Sequence, residues 1–433
     1  ITASLEGRGI SAPSVSGFSG KGDVHTAVVS YDADGDYTFD IEYADLAGNA
    51  AEDYRPDSFT VDLTAPELEI FDIEDRSANN DVVAPGIRYS DANCDRESLF
   101  IALEGIHNGA VDLERDITFF DGGQSIKFHD FPRKEEMDDL YRLTAGIKDL
   151  AGNETEKTVL FSVNRYGSVY VLDQATAAWL SPKPDDSTCI RQERRVGVQE
   201  YNVDEIQEYS ITVNRDGELT VLEENMDFAV RKSGDGTQWK VCHYIINAEN
   251  FSMEGNYRIT ISSRDTAENS MTNETVKKGE GKRLPLSFTI DKTAPTVVVS
   301  GIRDGGQYRA SSRTLTIDAK DNIALERVSV TIGNRRRTYE AKELRESEGI
   351  IETEIFGAAN WQKVEITAED AAGNQLGQKK PGGKAEPVVM TVLVTPSVMI
   401  QYFMNKPVFY GSLILLIFLA AAVILMKRRS RNR

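Results

Sequence analysis

A thirteen-residue stretch with alternating apolar and polar positions recurs along the chain. The clearest copy runs from Tyr141 to Asn153 and reads YRLTAGIKDLAGN. The other copies are Tyr37 to Asn49, Tyr257 to Asn269 and, in a looser form, Trp361 to Asn374. In each copy the residues six, four and two positions before an aspartate form one row, as Leu143, Ala145 and Ile147 do. This period of two is typical of a β-strand with one buried face, so each copy is predicted to be a half-buried strand that ends in a turn.

The spacing of the copies shows how large the repeating unit is. The aspartates that end the predicted strands are Asp45, Asp149, Asp265 and Asp370, at separations of 104, 116 and 105 residues. Solenoid and propeller repeats are much shorter, at roughly 20 to 50 residues. Each repeat is therefore predicted to be a whole domain, and the chain to be a string of domains.

The second repeat carries the clearest strand pattern. Its apolar runs predict seven strands, namely Glu67–Ile73, Val82–Ser90, Ser98–Glu104, Asp116–Phe120, Ser125–Phe128, the Tyr141 strand and Lys157–Asn164, with Asp91 to Asp95 as a loop. About seven short strands in about a hundred residues are typical of a two-sheet antiparallel sandwich of the immunoglobulin (Ig) kind. In such sandwiches a tyrosine at the start of the sixth strand bonds back to the preceding corner. Tyr37, Tyr141 and Tyr257 occupy that position, eight residues before the aspartate.

Domain boundaries follow the last strand of each repeat. The junctions from Phe59 to Pro66 and from Phe288 to Pro295 are near copies of each other, and both end in Thr-Ala-Pro. The predicted organisation is a partial Ig-like domain at 1–63 whose first strands are missing, an Ig-like domain at 64–164, a longer divergent one at 165–291, another at 292–395, a juxtamembrane linker at 396–407, a transmembrane helix at 408–426 and a basic tail at 427–433. The predicted fold class is all-β, with tandem Ig-like antiparallel β-sandwiches followed by one C-terminal transmembrane helix.

The C-terminal segment indicates where the protein resides. Val408 to Met426 contains 19 residues without a charge, close to the roughly 20 that span a bilayer as a helix. Five basic residues and no acid follow it. By the positive-inside rule the tail is cytoplasmic and the N-terminal side extracellular, which predicts a single-pass protein of the plasma membrane. The chain begins at Ile1 without a signal peptide, so we expect it to be the C-terminal part of a longer protein.

Composition narrows the classes of function. A net charge of −20 argues against a nucleic-acid partner, because phosphate binding needs basic surface. Cys94, Cys189 and Cys242 have neither metal-site spacing nor a disulfide framework. Cys189 and Cys242 fall in the same repeat and could pair, but we expect free thiols. The four histidines are scattered, and no nucleophile, zinc or phosphate-loop motif occurs. We therefore predict no enzyme activity, no catalytic residues and no cofactor-binding residues.

These motifs resemble the bacterial Ig-like repeat domains of large surface proteins, chiefly of Gram-positive type. The resemblance rests on D-x-A-G-N at Asp45, Asp149 and Asp370, on D-x-T-A-P at Asp62 and Asp291, and on the terminal anchor. The third repeat departs most, since Glu268 replaces the glycine. The resemblance implies an adhesin, a stalk or a structural protein of the cell wall. The sortase signal L-P-x-T-G is absent, which favours a retained membrane helix.

Acidic residues are predicted to meet at the domain junctions. In a sandwich of this strand order, the incoming linker, the loop after the second strand and the loop after the D-x-A-G-N strand lie at one pole. The candidate metal ligands are Asp62, Asp91, Asp95 and Asp149 at one junction, together with Asn93 and Asn153, and Asp291, Asp318, Asp321 and Asp370 at another, together with Asn322 and Asn374. Clustered oxygen ligands suit Ca²⁺, and the arrangement is similar to the calcium-stiffened junctions of cadherins. The alternative is that these residues only begin turns, for which Asp and Asn are the usual choice.

Three functions remain open from the sequence. The first is a membrane-anchored stalk or adhesive ectodomain of Ig-like repeats that projects N-terminal modules outward. The second is the spacer of a larger surface enzyme, such as a glycoside hydrolase or protease, whose catalytic domain lies upstream. The third is a module in the third domain that binds an extracellular glycan or protein, with the aromatic residues Trp179, Tyr201, Trp239 and Tyr244 either as a stacking platform or as core residues.

Overall fold

The computed structural model describes residues 2–6, 19–21, 24–28, 30–38, 47–50, 58–181, 188–235, 238–275 and 283–431. Within these ranges the chain forms a succession of β-sheets and ends in one long apolar helix, which confirms the predicted fold class. The first copy of the repeated strand lies largely outside the described residues. Phe39, Ile41, Tyr43 and Asp45 all fall there.

The described residues of the N-terminal part form five short strands. They are β1 (Thr2–Glu6), β2 (Ser19–Lys21), β3 (Val24–Val28), β4 (Gly35–Tyr37) and β5 (Phe59–Val61). Strands β1, β3 and β2 form one antiparallel sheet in that order, and β4 pairs with β5.

Two four-stranded sheets lie between residues 67 and 163 and form the second domain. Their strands are β6 (Glu67–Phe71), β7 (Gly86–Ser90), β8 (Cys94–Gly105), β9 (Gly109–Ala110), β10 (Arg115–Phe120), β11 (Gly123–Phe128), β12 (Asp139–Asp149) and β13 (Glu154–Val163), with a 3₁₀ turn at Glu135–Met137. The strand orders are β10-β11-β7-β6 and β13-β12-β8-β9. One core cluster joins the two sheets, with Ile87 and Ile126 from the first and Leu143 and Phe161 from the second.

The third domain is longer and contains more strands. They are β14 (Val169–Leu172), β15 (Thr188–Ile190), β16 (Val196–Asn202), β17 (Ile206–Arg215), β18 (Glu218–Val221), β19 (Phe228–Ser233), β20 (Lys240–Ile246), β21 (Gly255–Asp265), β22 (Ser270–Thr272) and β23 (Leu286–Ile290); helix α1 (Gln174–Ala177) and a 3₁₀ turn at Ala248–Phe251 lie between them. The sheets run β14-β16-β20-β19 and β15-β23-β21-β17-β18, with β22 paired to β21. Strands β15 and β23 pair in parallel, so the sandwich is antiparallel except at this edge.

The fourth domain precedes the terminal helices. It contains β24 (Thr296–Ser300), β25 (Gln307–Tyr308), β26 (Ser312–Lys320), β27 (Leu325–Ile332), β28 (Arg335–Glu340), helix α2 (Ala341–Glu346), β29 (Ile350–Phe356), β30 (Gln362–Asp370) and β31 (Val388–Val394). The sheets run β24-β26-β29 and β25-β31-β30-β27-β28, again with one parallel pair, β25 and β31. Helices α3 (Val398–Met404) and α4 (Lys406–Arg431) follow.

The repeated strands β12, β21 and β30 have the predicted two faces. In β12 the row Leu143, Ala145 and Ile147 is buried, and the row ends in the buried Asp149. The rows in β21 and β30 are buried in the same way, and they end at Asp265 and Asp370. The aspartate therefore begins its turn from inside the sandwich, where its carboxylate must find hydrogen-bond donors.

The predicted tyrosine corners are confirmed. The hydroxyls of Tyr37, Tyr141 and Tyr257 donate to the carbonyl oxygens of Ala33, Met137 and Met253, at 2.9, 2.8 and 2.8 Å, each four residues back. Each tyrosine ring also stacks on a phenylalanine of the following junction strand. The partners are Phe59, Phe161 and Phe288, at centroid distances of 5.9, 5.9 and 5.5 Å. In the fourth domain Gln362 stands at the tyrosine position and its amide donates to Phe356 O at 2.9 Å.

Several strand boundaries differ from the sequence prediction, and two of them belong to the strands just before and just after the loop at Asp91. The strand predicted from Val82 begins only at Gly86, because Pro85 has no N–H to donate to a ladder. Cys94 and Asp95, predicted as loop, are the first residues of β8, where they pair with Asp149 and Lys148 across a bulge. Asp95 is thereby held in a sheet rather than in the junction loop.

Candidate metal centres at the domain junctions

The asparagine of the repeated motif clamps the linker that enters its own domain. Asn153 Nδ2 donates to Asp62 O at 2.9 Å and to Thr64 O at 3.4 Å. Asn374 Nδ2 makes the same pair of bonds to Asp291 O and Thr293 O, at 2.9 and 3.4 Å. We call these places the first junction, before the second domain, and the last junction, before the fourth. At the middle junction, before the third domain, Asn269 Nδ2 donates to Asn164 O at 2.8 Å.

The motif aspartate holds the asparagine in position. Asp149 Oδ1 accepts from Asn153 N at 2.8 Å and Oδ2 accepts from Asn153 Nδ2 at 2.7 Å. Asp265 and Asp370 bind Asn269 and Asn374 in the same way. The residue before the asparagine has a positive φ, 95° at Gly152, which explains the glycine of the motif. In the third domain Glu268 takes the place of the glycine and adopts φ 67°, a conformation that its Cβ makes less favourable.

At the first junction three of the predicted carboxylates meet. Asp62, Asp91 and Asp149 each offer an oxygen, and these oxygens lie within 4.8 Å of one another. Asp62 comes from the linker, Asp91 follows β7 and Asp149 ends β12. One side-chain amide donates a hydrogen bond to this cluster, from Asn93 Nδ2 to Asp62 Oδ2 at 2.7 Å.

The last junction brings together the equivalent three carboxylates. Asp291, Asp321 and Asp370 also offer oxygens within 4.8 Å of one another. Asp291 and Asp370 are buried and Asp321 is partly exposed. The guanidinium of Arg191 reaches this turn from the third domain and donates to Gly373 O at 3.3 Å. Among the described residues, no lysine or arginine forms an ion pair with any of the three carboxylates.

Asparagines replace two of these carboxylates at the middle junction. Asn164 stands where Asp62 and Asp291 stand, and Asn202 is the last residue of β16, close to where Asp91 follows β7. Asn164 Nδ2 lies 2.8 Å from Asn202 Oδ1 and 2.9 Å from Asp265 Oδ2. It also lies 2.9 Å from Asp204 Oδ2. One side-chain amide thus occupies the centre of the oxygen cluster.

The electrostatics of the junctions differ accordingly. Burial, together with the nearby Asp321 and Asp370, raises the pKa of Asp291 to about 7. Burial also raises the pKa of Asp370, against the hydrogen bonds from Asn374. At the first junction burial favours a higher pKa for Asp149, but the hydrogen bonds from Asn153 and the turn outweigh it and the pKa is lowered. Burial also raises the pKa of Asp91 at the first junction and of Asp204 at the middle junction, but among the described residues only the last junction has two carboxylates with a raised pKa.

Two predicted ligands lie outside the clusters. Asp95 Oδ1 caps the backbone of Glu97 at 3.1 Å within β8. Asp318 lies in β26 and its Oδ2 pairs with Lys320 Nζ at 2.9 Å. Asn164 and Asn202, which also belong to the junctions, were not predicted from the sequence. Aligning Phe161–Asn164 with Phe59–Asp62 would have identified Asn164, because Asn164 and Asp62 each stand three residues after the phenylalanine.

Solved structures of tandem domains resemble the chain in part. A search against protein-family models and a search of curated proteins found no match. Among solved structures, titin domains A168–A170 are 11% identical over 75% of this chain and 99% of theirs, with a TM-score of 0.30. A tetra-tandem repeat in the extending region of a large adhesion protein is 15% identical over 87% of both chains, with a TM-score of 0.32. A Ca²⁺-stabilised adhesin with which an Antarctic bacterium binds ice is 16% identical over 83% of this chain and 81% of its own, with a TM-score of 0.22. At such TM-scores the whole-chain superpositions are loose, so the Ig-like assignment rests on the sheets and the tyrosine corners.

The aromatic residues of the third domain do not share one exposed surface. Tyr244 is fully buried, and Trp179 packs edge-on against Phe288 in the core. Trp239 Nε1 donates to Asp139 Oδ1 of the second domain at 3.1 Å. Two of the four are therefore core residues and a third belongs to a contact between domains.

A His–Asp pair at that contact is structural. Asp139 is fully buried and accepts from His107 N at 2.7 Å and Asn108 N at 2.9 Å, besides the Trp239 indole. His107 Nδ1 lies 3.1 Å from the same carboxylate. These hydrogen bonds outweigh burial and lower the pKa of Asp139, so the carboxylate acts as a fixed acceptor between two domains.

Proposed function

We propose that the chain is a non-catalytic stalk or adhesive ectodomain of a bacterial surface protein of Gram-positive type, held in the plasma membrane by α4. The observation that carries the proposal is the asparagine clamp, which recurs at all three junctions with the same donor atom. A repeated bond between each domain and the linker that enters it restrains the angle between neighbours. A series of restrained domains can place a binding surface at a distance from the membrane.

The anchor is supported by the terminal helices. Within α4 the stretch from Lys406 to Arg428 is long and apolar enough to cross a membrane, and its large side chains are exposed in the isolated chain. Tyr402 and Phe403 precede it, and aromatic residues suit the membrane interface. Trp361 Nε1 of the fourth domain donates to Met404 O at 3.4 Å, which connects that domain to the start of the anchor. We infer that the basic end faces the cytoplasm.

Two other functions have less support from the residues. A spacer in a larger surface enzyme would use the same clamps, and it differs only in what precedes the chain. A glycan- or protein-binding platform in the third domain has little support from its aromatic residues. Tyr244 and Trp179 pack in the core, and Trp239 contacts the second domain.

Removing the clamp of the last junction should loosen it. In the full chain in lipid nanodiscs, with the three native cysteines replaced by alanine, spin labels on the third and fourth domains report their separation. We expect Asn374→Ala to broaden the measured distance distribution, because the bonds to Asp291 O and Thr293 O disappear. The measurement is made in chelator, so that no bound cation contributes. Asn322→Ala, an exposed asparagine at the same junction, is the control and should leave the distribution unchanged. An unchanged distribution in Asn374→Ala contradicts the clamp.

The orientation in the membrane has a separate test. Trypsin added to intact cells that express the full chain with a C-terminal tag should remove the Ig-like domains and leave a tagged fragment of α4 and its tail. Protection of the domains from external trypsin, with loss of the tag only after permeabilisation, would contradict a surface stalk. The readout is the size of the tagged fragment on an immunoblot.

A further inference from the structure

Several buried oxygen atoms at the last junction have no hydrogen-bond donor within the described residues. They are Asp291 Oδ2, Asp321 Oδ1 and Asn374 Oδ1. Asp291 and Asn374 are at most 1% exposed. Nearly all buried polar atoms in folded proteins have a partner, so three unpartnered acceptors at one junction indicate a place where a donor or a cation binds.

The other oxygen of each carboxylate fixes its orientation. Asp291 Oδ1 accepts from Thr293 N at 3.0 Å. Asp321 Oδ2 accepts from the backbone N–H groups of Ile323 and Ala324, both at 2.9 Å. Backbone donors therefore hold each side chain by one oxygen and leave the other free for a ligand. The two free carboxylate oxygens belong to residues whose oxygens come within 4.8 Å of each other and of Asp370.

At the other two junctions, side-chain amides donate to the oxygens of the cluster. At the middle junction the Asn164 amide donates to the equivalent oxygens, and at the first junction Asn93 donates to Asp62 Oδ2. At the last junction Asp291 replaces Asn164 and Ile323 replaces Asn93, so neither amide is present. Among the described residues, orphaned oxygens within a junction cluster occur only where both amides are lost.

We propose that the last junction binds one Ca²⁺ ion through Asp291, Asp321, Asp370 and the side-chain carbonyl of Asn374, and that asparagine amides take the place of the ion at the first and middle junctions. The ligands are all oxygens, three of them carboxylates, which is the donor set of Ca²⁺ sites. The residues come from the linker, from the loop after β26 and from the turn after β30. A bound ion therefore links the end of the third domain to two loops of the fourth.

The charge at the site agrees with this assignment. The three carboxylates offer oxygens within 4.8 Å of one another, and among the described residues no lysine or arginine pairs with them. A divalent cation would relieve this repulsion, and Arg191 bonds to a backbone carbonyl instead.

The proposal deepens the proposed role of the junctions, and its test measures binding itself. Isothermal titration of the full chain in detergent with CaCl₂ should show one site per chain with a Kd of about 10⁻³ M or tighter, the range of extracellular calcium modules. At a Ca²⁺ concentration 100 times the Kd, the melting temperature of the fourth domain should rise by about 5 °C or more relative to chelator. Hydrogen exchange of peptides from residues 296 to 394 assigns the change to that domain.

The sharpest variant is Asp321→Asn. It keeps an oxygen for Ile323 N and Ala324 N and presents an amide to the cluster, as Asn202 does at the middle junction. We expect it to abolish calcium binding and to raise the melting temperature of the fourth domain in chelator above that of the wild type. A residue with only a structural role in its turn would not have both effects. Asp91→Asn at the first junction is the matched control and should leave calcium binding unchanged.

Three results would overturn the proposal. They are no heat of binding by the wild-type chain, binding that survives Asp321→Asn, and a wild-type stoichiometry of two with one site lost in Asp91→Asn. The distance measurement with Asn374→Ala in chelator is independent of these results, so a failure of the calcium site is distinguishable from a failure of the clamp.

Discussion

Replacing Asn164 by alanine should lower the free energy of unfolding of the third domain by about 3 kcal/mol. The Asn164 amide donates to Asn202 Oδ1, Asp204 Oδ2 and Asp265 Oδ2 at 2.8 to 2.9 Å. Two of these acceptors are carboxylates, and hydrogen bonds to buried charged groups contribute more than neutral ones. Burial already raises the pKa of Asp204, so the loss of a donor falls on a carboxylate that has little solvent.

The loss of stability in Asn164→Ala is limited because two of the acceptors keep other hydrogen-bond donors. Asp265 Oδ2 still accepts from Asn202 and Asn269, and Asp204 Oδ2 still accepts from Ser162. The measurement is hydrogen exchange of the slowest amides in residues 206–265 of the full chain in detergent, which reports the free energy of opening. Asn256→Ala removes an exposed amide–carboxylate contact in the same domain and should cost less than about 1 kcal/mol. Equal effects of the two variants would contradict the role given to Asn164.

Replacing Arg165 by methionine should destabilise the second domain by about 3 to 5 kcal/mol. The side chain is 5% exposed and its guanidinium donates to Asp130 Oδ1 at 2.5 Å, Phe131 O at 2.8 Å and Asp81 O at 2.9 Å. Methionine keeps most of the apolar volume but no donor, so two carbonyl oxygens and Asp130 lose the guanidinium, although Asp130 still accepts from Val83 N and pairs with Arg133. The arginine of this ion pair is buried and Asp130 is 29% exposed, and removing one partner of a largely buried pair is among the costlier single changes in a protein.

Arg133→Met is the matched control for this variant. Arg133 pairs with the same two acidic residues, at 3.0 Å to Asp81 and 3.6 Å to Asp130, but its side chain is 56% exposed. Exposed ion pairs contribute about 0 to 1 kcal/mol, so this variant should be nearly neutral. Exchange of the buried amides of β12 gives both values. A large loss in Arg133→Met, or a small one in Arg165→Met, would show that burial does not govern these pairs.

Asn164 and Arg165, the two residues with the largest expected effects on stability, are adjacent in one linker, but their side chains bond to different domains. The amide of Asn164 donates to Asn202 and Asp265 of the third domain, whereas the guanidinium of Arg165 donates to Asp81 O and Phe131 O of the second. Trp239 adds an indole bond from the third domain to the second. The middle junction is thus attached on both sides by protein groups, whereas at the last junction we assign part of that role to an ion.

The candidate sites could be predicted from the sequence in part. Six of the eight predicted aspartates fall into the two clusters, because strand order alone places the linker, the loop after the second strand and the motif turn at one pole. Asp95 and Asp318 do not, since each lies within a strand and a strand fixes the direction of its side chains. Whether a cluster suits an ion or an amide could not be predicted, because that depends on a single donor at Asn93 or Asn164.

The sequence by itself determined the repeating sandwich, the tyrosine corners and the apolar terminal helix. These follow from local rules, namely alternation with period two, turn residues at fixed offsets and a length of uncharged chain that matches a bilayer. Only the tertiary structure decided which oxygens meet and which of them lack a donor. Asp291, Asp321 and Asp370 are far apart along the chain, and hydrogen bonds form over about 3 Å, so their partners are set by how the loops of two domains pack.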